Sequence, residues 1–249
     1  MKANRAIFRF YAELNDFLPE SLRGREIEYR FADSPGIKDP IEARGVPHAE
    51  VELIVVNGES VGFDHRLRHG DRVAVYPVFE AFDVAPLVRL REAPLRRTAF
   101  VLDVNLGKLA RRLRLLGFDT LYRNDYSDAD VIRTSVETGR IILTRDRRLL
   151  FAKIVTHGYW LRATDADEQA REVIARFDLA RQVKPFARCI ACNGPIEPVD
   201  KDEIADRLEP LTRMYYDTFY RCADCGRIYW EGSHFTRMRA LLERLTAQG

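Results

Sequence analysis

Residues 98–150 read TAFVLDVNLGKLARRLRLLGFDTLYRNDYSDADVIRTSVETGRIILTRDRRLL, and their punctuation decides the fold. Ala99 to Leu102 is a short apolar run that ends on Asp103. Leu106, Leu109, Leu113 and Leu116 then recur at three- and four-residue steps, which predicts a helix from Asn105 to Leu116 closed by Gly117. Asp119 to Tyr122 is a second short strand. Ser127 or Asp128 caps a second helix through Val131, Ile132, Ser135 and Val136, and Gly139 ends it. Ile141 to Thr144 is a third strand, with Asp146 just past its end. Strands that alternate with helices predict an α/β parallel sheet flanked by helices, with right-handed crossovers. Ligands of such sheets bind beyond the carboxyl ends of the strands. Two of those ends carry Asp103 and Asp146, and a helix start carries Asp128.

The totals bound what surrounds this stretch. A chain of 249 residues holds one large domain or two to three small ones, and 46% hydrophobic residues is ordinary for a globular protein. No apolar run reaches the length of a membrane span and no signal-peptide core opens the chain, so the expectation is a soluble, cytoplasmic protein without membrane contact. The net charge of +2 hides an asymmetry. Residues 1–85 hold 11 basic and 15 acidic residues, whereas residues 86–123 hold 9 basic and 3 acidic. A basic half beside an acidic half suggests a polyanion for the basic half, against the plainer reading of a solvated charged face.

On the N-terminal side, residues 5–11 and 26–31 alternate as strands, 37–45 read as a short helix, and 51–56 are a third strand ended by the turn signal Asn57-Gly58. Arg72 to Tyr76 completes a ββαββ plan. Residues 86–97, rich in proline and arginine, read as a basic linker. On the C-terminal side, Arg147 to Phe151 begins a helix and 158–162 are a fourth strand. Thr164 or Asp165 caps a helix over 167–177, with Glu168 placed for a capping box on Asp165.

Three constellations carry chemistry. Asp103, Asp128 and Asp146 are far apart in sequence but fall at one expected sheet edge, where clustered carboxylates can hold the divalent metal that activates water and neutralises phosphate charge. The structural alternatives are an N-cap for Asp128 and an exposed loop charge for Asp146. Asp125, Asp130 and Asp165 are second-rank candidates, with an N-cap the plainer reading of Asp165. Opposite the leucine stripe lie Lys108, Arg111, Arg112 and Arg114, and Arg145, Arg147 and Arg148 flank Asp146, as phosphate binding beside metals requires. The third constellation is Cys189-Ile-Ala-Cys192 with Cys222-Ala-Asp-Cys225, two knuckles separated by 29 residues. Four thiolates at this spacing suit a closed, structural Zn²⁺ site rather than two redox dithiols. The gap between the knuckles exceeds that of an ordinary ribbon, and a helical insert is expected over 202–208. Tyr229, Trp230, His234 and Arg237 follow the second knuckle and could grip single-stranded RNA, although Trp230 suits core packing equally well. No G-x-G-x-x-G or G-x-x-x-x-G-K-[ST] motif is present, which disfavours dinucleotide and NTPase readings.

Asp128-Ala-Asp-Val-Ile, Glu137-Thr-Gly139 and Leu143-Thr-Arg-Asp146, together with Asp103, resemble the pattern of the PIN-domain ribonucleases. The run from Gly107 to Gly117 resembles a PIN-like branch that carries a C-terminal zinc ribbon and is named after the C-terminal domain of the Mut-seven exoribonuclease. This resemblance spans residues 98–238. Val55 to Val61 and Leu67 to Pro77 resemble the ubiquitin-like sulfur carriers of thiamine and molybdopterin synthesis, but the chain has no Gly-Gly, so carrier chemistry does not transfer.

The resemblance implies four segments: a ubiquitin-like β-grasp domain at 1–85, the linker at 86–97, a PIN-like nuclease at 98–184 and a zinc ribbon at 185–249. It implies a metal-dependent ribonuclease in which Asp103, Asp128 and Asp146 hold Mg²⁺ or Mn²⁺ and Lys108, Arg111, Arg112, Arg145 and Arg147 bind RNA. Cys189, Cys192, Cys222 and Cys225 would then hold zinc. Two alternatives stay open at the level of sequence. One is an RNA-binding protein with a degenerate site; the other is an adaptor that recruits a protein partner through the ubiquitin-like domain.

Overall fold

The computed structural model describes residues 4–77 and 98–246, which fall into two compact units: 4–77 with 128–160, and 98–127 with 161–246. The basic linker expected at 86–97 lies outside the described residues.

In the first unit, β1 (Asn4–Phe10) turns Ala6, Phe8 and Phe10 inward, the period-two face its sequence predicts. Two 3-10 turns at Ala12–Phe17 and Glu20–Leu22 lead to β2 (Ile27–Phe31), antiparallel to β1. Helix α1 (Lys38–Ala43) is shorter than the sequence suggests, and no side chain caps its start. A buried 3-10 turn, His48–Glu50, follows it. Strands β3 (Leu53–Val56) and β4 (Glu59–Val61) form a hairpin through Asn57 and Gly58, both with positive φ (51° and 92°), as a two-residue turn of that type demands. Strand β5 (Arg72–Tyr76) lies parallel to β1, which gives the order β2-β1-β5-β3-β4. This mixed sheet, closed over Leu14, Ile37, Ile41 and Leu67, is a ubiquitin-like β-grasp.

Past residue 97 the chain alternates strand and helix. Strand β6 (Ala99–Leu102) is buried throughout, as a parallel strand covered on both faces should be. The helix expected from Asn105 begins as a 3-10 turn, Val104–Leu106, because Asp103 caps it by accepting the Asn105 N–H; α2 (Gly107–Leu115) follows. Gly117 closes α2 at φ +94°. A Cβ there would sit 2.1 Å from the Lys184 carbonyl oxygen, so glycine is needed for both conformation and approach. Strand β7 (Asp119–Leu121) pairs in parallel with β6. Helix α3 (Asp128–Thr138) leads to β8 (Ile141–Thr144), whose four residues are all buried. The helix expected from Arg147 is a single 3-10 stretch, Arg147–Phe151, capped by Asp146. Strand β9 (Gly158–Trp160) pairs in parallel with β8, with Thr144 opposite Trp160.

Helix α4 (Ala166–Arg176) packs on α2, with the Arg112 guanidinium 2.7 Å from Asp167. The three-stranded antiparallel sheet β10 (Ile196–Val199), β11 (Phe219–Cys222) and β12 (Ile228–Trp230) carries the cysteines. The insert between the knuckles is a 3-10 stretch, Lys201–Arg207, and a short helix, α5 (Pro210–Tyr215). Helix α6 (Ser233–Thr246) closes the described chain and packs on α4. No described helix is long and apolar enough to cross a membrane.

Candidate active site and metal centre

Asp146 leaves the buried end of β8 held on several sides. Its backbone N–H donates to Thr144 Oγ1 at 2.8 Å, and Thr144 is fully buried, so the strand fixes the position of the aspartate. Its carboxylate accepts the backbone N–H of Arg148 at 2.9 Å and the Arg148 guanidinium at 2.7–3.1 Å. The Arg148 hydrogen bonds hold the Asp146 pKa below the ordinary carboxylate value, against a small upward push from burial. Asp128, exposed at the first turn of α3, adds to the field that raises the Arg148 pKa, after the larger effect of Asp146. Asp103 lies in the second unit, buried at the end of β6, with Oδ1 3.1 Å from the Asn105 nitrogen.

The second-rank acids have structural roles. Asp125 pairs with Arg123 at 2.8 Å and Asp130 with Arg133 at 2.5 Å. Asp165 caps α4 by accepting the N–H groups of Glu168 and Asp167, which lower its pKa. The basic candidates also divide. Lys108, Arg111 and Arg145 are exposed. Arg112 is half-buried in its pair with Asp167, and Arg147 stacks on Trp160, its guanidinium 3.6 Å from the ring centre. Arg114 is not on the solvated face that its place opposite the leucines suggests. It is buried and donates to the carbonyls of Thr120 and Ala191, tying α2 and β7 to the first knuckle.

The four cysteines come together in one cluster. Their four sulfurs lie within 4.8 Å of one another, with Cys189 to Cys225 at 3.7 Å and Cys192 to Cys222 at 3.4 Å. Tetrahedral zinc with bonds of about 2.3 Å requires sulfurs about 3.8 Å apart, so the cluster fits. Each knuckle folds on backbone hydrogen bonds, Asn193 N–H to Cys189 O and Gly226 N–H to Cys222 O. The Gly194 N–H points at Cys192 Sγ and the Tyr229 hydroxyl lies 3.0 Å from Cys189 Sγ, a second layer of the kind that orients metal ligands. Burial alone would raise the Cys189 pKa, but the Tyr229 hydroxyl and the backbone N–H groups of Cys192 and Ala191 bring it down to about 6. Among the described residues this is the one group of three or more potential ligands gathered tightly enough to hold an ion; it could hold a structural metal such as zinc.

Sequence reasoning missed the residue that joins this centre to the rest of its unit. Asn193, at φ 78°, buries its amide against β7: Oδ1 accepts the Thr120 N–H at 2.8 Å and Nδ2 donates to Asp119 at 2.7 Å. The Cys-Asn-Gly turn was the only available signal, and it marks a knuckle without naming its partner. Behind the knuckles, Tyr229, Trp230, Phe186 and Phe235 line a hollow of about 290 Å³. The side chains of His234 and Arg237 lie outside the described ones.

Two family models match the chain. Residues 3–83 match the Mut7-C ubiquitin domain, and residues 98–242 match the Mut7-C RNAse domain. No curated protein matches. With more than half of its length under the second model, the chain belongs to the Mut7-C RNase family, and its function is of the ribonuclease type.

Proposed function

We propose that the chain is a PIN-like, metal-dependent ribonuclease whose catalytic carboxylates are Asp103, Asp128 and Asp146. The observation that carries this reading is the placement of Asp146: the buried Thr144 at the end of a parallel strand holds its backbone, and hydrogen bonds from Arg148 favour the charged form of its carboxylate. The donor set is all oxygen, which suits Mg²⁺ or Mn²⁺, and Mg²⁺ commonly takes only one or two carboxylates and completes its shell with water. A divalent ion held there supplies an acidified water and neutralises the charge that develops on the phosphate.

The remaining roles fall to the chain's own residues. Thr144 holds the Asp146 backbone, and Arg148 orients the carboxylate by hydrogen bonds to both of its oxygens. Lys108, Arg111 and Arg145 are exposed and would contact the RNA backbone. The cysteine cluster takes zinc as a structural ion, because four protein sulfurs leave no open coordination position.

A second reading, an RNA-binding protein that does not cleave, draws on the closed Asp146–Arg148 pair, which engages both carboxylate oxygens. Incubation of the full chain with labelled single-stranded RNA separates the two. Cleavage that stops in EDTA, returns with Mg²⁺ or Mn²⁺ but not with Zn²⁺, and is absent from Asp146→Asn supports the nuclease. RNA binding without cleavage under any divalent ion supports the second reading.

A further inference from the structure

The ubiquitin-like sheet and the segment that follows Asp146 belong to one compact unit, and specific side chains join them. Glu50, 1% exposed in the 3-10 turn before β3, accepts the backbone N–H of Trp160 at 2.5 Å. His48, in the same turn, has Nε2 2.8 Å from the Val155 carbonyl oxygen. The Trp160 ring packs against the ubiquitin-like core, 5.4 Å from the ring of Phe17. The guanidinium of Arg147 lies over both rings of this pair, 3.6 Å from the Trp160 centroid and 5.3 Å from that of Phe17.

The ties through Trp160 and Arg147 lead to Asp146 by a short covalent or hydrogen-bonded path. Trp160 stands opposite Thr144 in the β8–β9 register, and Thr144 Oγ1 accepts the Asp146 N–H. Arg147 is the next residue in the chain. Buried carboxylates and buried backbone N–H groups are costly to leave without partners, so the Glu50 bond fixes where β9 ends. A stacked guanidinium has a planar demand that an ammonium cannot meet.

Resting on the nuclease reading above, we propose that the ubiquitin-like domain acts in cis as a clamp on the Asp146 loop, with Glu50 and Arg147 as positioning residues. The domain is then part of the catalytic architecture. Arg147 works through Trp160 rather than on RNA phosphate. Nothing in the reaction needs Glu50 or Arg147 to touch the substrate. Misplacement of a metal-holding carboxylate by a fraction of an ångström lowers turnover and weakens metal use, and it leaves metal-free RNA binding alone.

The test uses the full chain with Arg147→Lys and Glu50→Gln, and Asp146→Asn alongside. Melting and circular dichroism establish that each variant is folded, and Glu50→Gln, which keeps volume but exchanges a charge-assisted hydrogen bond for a weaker neutral one, covers the case in which Arg147→Lys is not. Each positioning variant should lower kcat at saturating RNA by about tenfold or more, raise the Mn²⁺ concentration for half-maximal activity several-fold, and leave RNA affinity in EDTA within about twofold. Raised KM and weakened RNA binding with kcat unchanged would make Arg147 a phosphate contact and overturn the clamp. An inactive Asp146→Asn beside fully active Arg147→Lys and Glu50→Gln also overturns the clamp and leaves the nuclease reading intact. An active Asp146→Asn overturns the nuclease reading itself.

Discussion

Arg148 grips Asp146 with both its backbone and its side chain: its N–H reaches Oδ1 at 2.9 Å, and its guanidinium spans both carboxylate oxygens, with Nη2 2.7 Å from Oδ2. The guanidinium is exposed, so a divalent cation can compete with it for the carboxylate. The pair also makes the carboxylate a better anion, since the hydrogen bonds favour its charged form. Replacement of Arg148 by alanine should return the Asp146 pKa upward toward the ordinary carboxylate range, measurable by carboxyl-carbon NMR titration. The sign follows from linkage. A depressed folded-state pKa stabilises the fold above the ordinary carboxylate value, and that contribution fades as pH falls through the lowered one. The variant should lose that acid-side dependence, and its activity should saturate at lower Mn²⁺ because the competing cation is gone.

Asp103→Asn and Asp128→Asn separate ligation from capping. Asparagine caps as well as aspartate at position 103 and retains the hydrogen bond from the Asn105 N–H, and Asp128 is an exposed residue of the first turn of α3, so both variants should keep stability within about 0.5 kcal/mol. Cleavage should fall by about a hundredfold or more in each. Full activity in either would remove that residue from the site, and thermal melting with single-turnover kinetics measures both quantities.

The basic side chains should sort by burial. Lys108→Ala with Arg111→Ala should weaken RNA binding and flatten its salt dependence by about one to two units of slope, because both residues are exposed. Arg114→Ala should leave that slope unchanged and destabilise the fold by about 3 kcal/mol, because the carbonyls of Thr120 and Ala191 lose a buried, charged donor. Salt-dependent binding and denaturant melts distinguish the two outcomes.

Protein prepared without chelator should contain one tightly held zinc per chain by elemental analysis. Cys222→Ser should lose it and unfold the β10–β11–β12 sheet, since metal binding in such modules is folding free energy. The strands of the ubiquitin-like sheet should keep their amide protection in hydrogen exchange. A folded C-terminal sheet in the zinc-free protein would contradict this.

His48 gives a pH dependence of opposite chemistry to Asp146. Both ring nitrogens face acceptors, Glu42 at 2.6 Å and the Val155 carbonyl at 2.8 Å, while burial, and then Lys38 nearby, push its pKa below the ordinary value. The unfolded chain therefore takes up a proton more readily than the folded one as pH falls below about 6.5. Stability should decline over that window, and His48→Gln should flatten the decline in melts recorded across pH 5–8.

What could be read from the sequence was what local period and spacing encode. The alternation of β1, the leucine stripe of α2, the Asn57-Gly58 turn and the two knuckles each announce themselves within a dozen residues. What could not be read depended on partners distant in sequence. Glu50 and His48 sit in a short polar connection after α1 and look solvated until Trp160 and Val155, more than 100 residues on, bury them. Arg114 follows the charge stripe by spacing, yet the first knuckle folds over it. Arg147 looks like its neighbours Arg145 and Arg148, and only Trp160 separates its role from theirs. The 3-10 turns after Asp103 and Asp146 follow an aspartate that accepts only the N–H two residues ahead, whereas Asp165, which also accepts the N–H three residues ahead, opens an α-helix directly.

The proposed role of Asp146, holding a divalent ion for RNA cleavage, is tested by the single-turnover cleavage rate of zinc-loaded protein on single-stranded RNA as Mn²⁺ is titrated, for the native chain and for Asp146→Asn. The native chain should show a saturable rise from zero. Asp146→Asn should show no rise at any Mn²⁺ concentration, with RNA affinity equal or tighter because a negative charge beside phosphate has been removed. A native rate independent of Mn²⁺, or the same saturable rise in Asp146→Asn, would contradict that role.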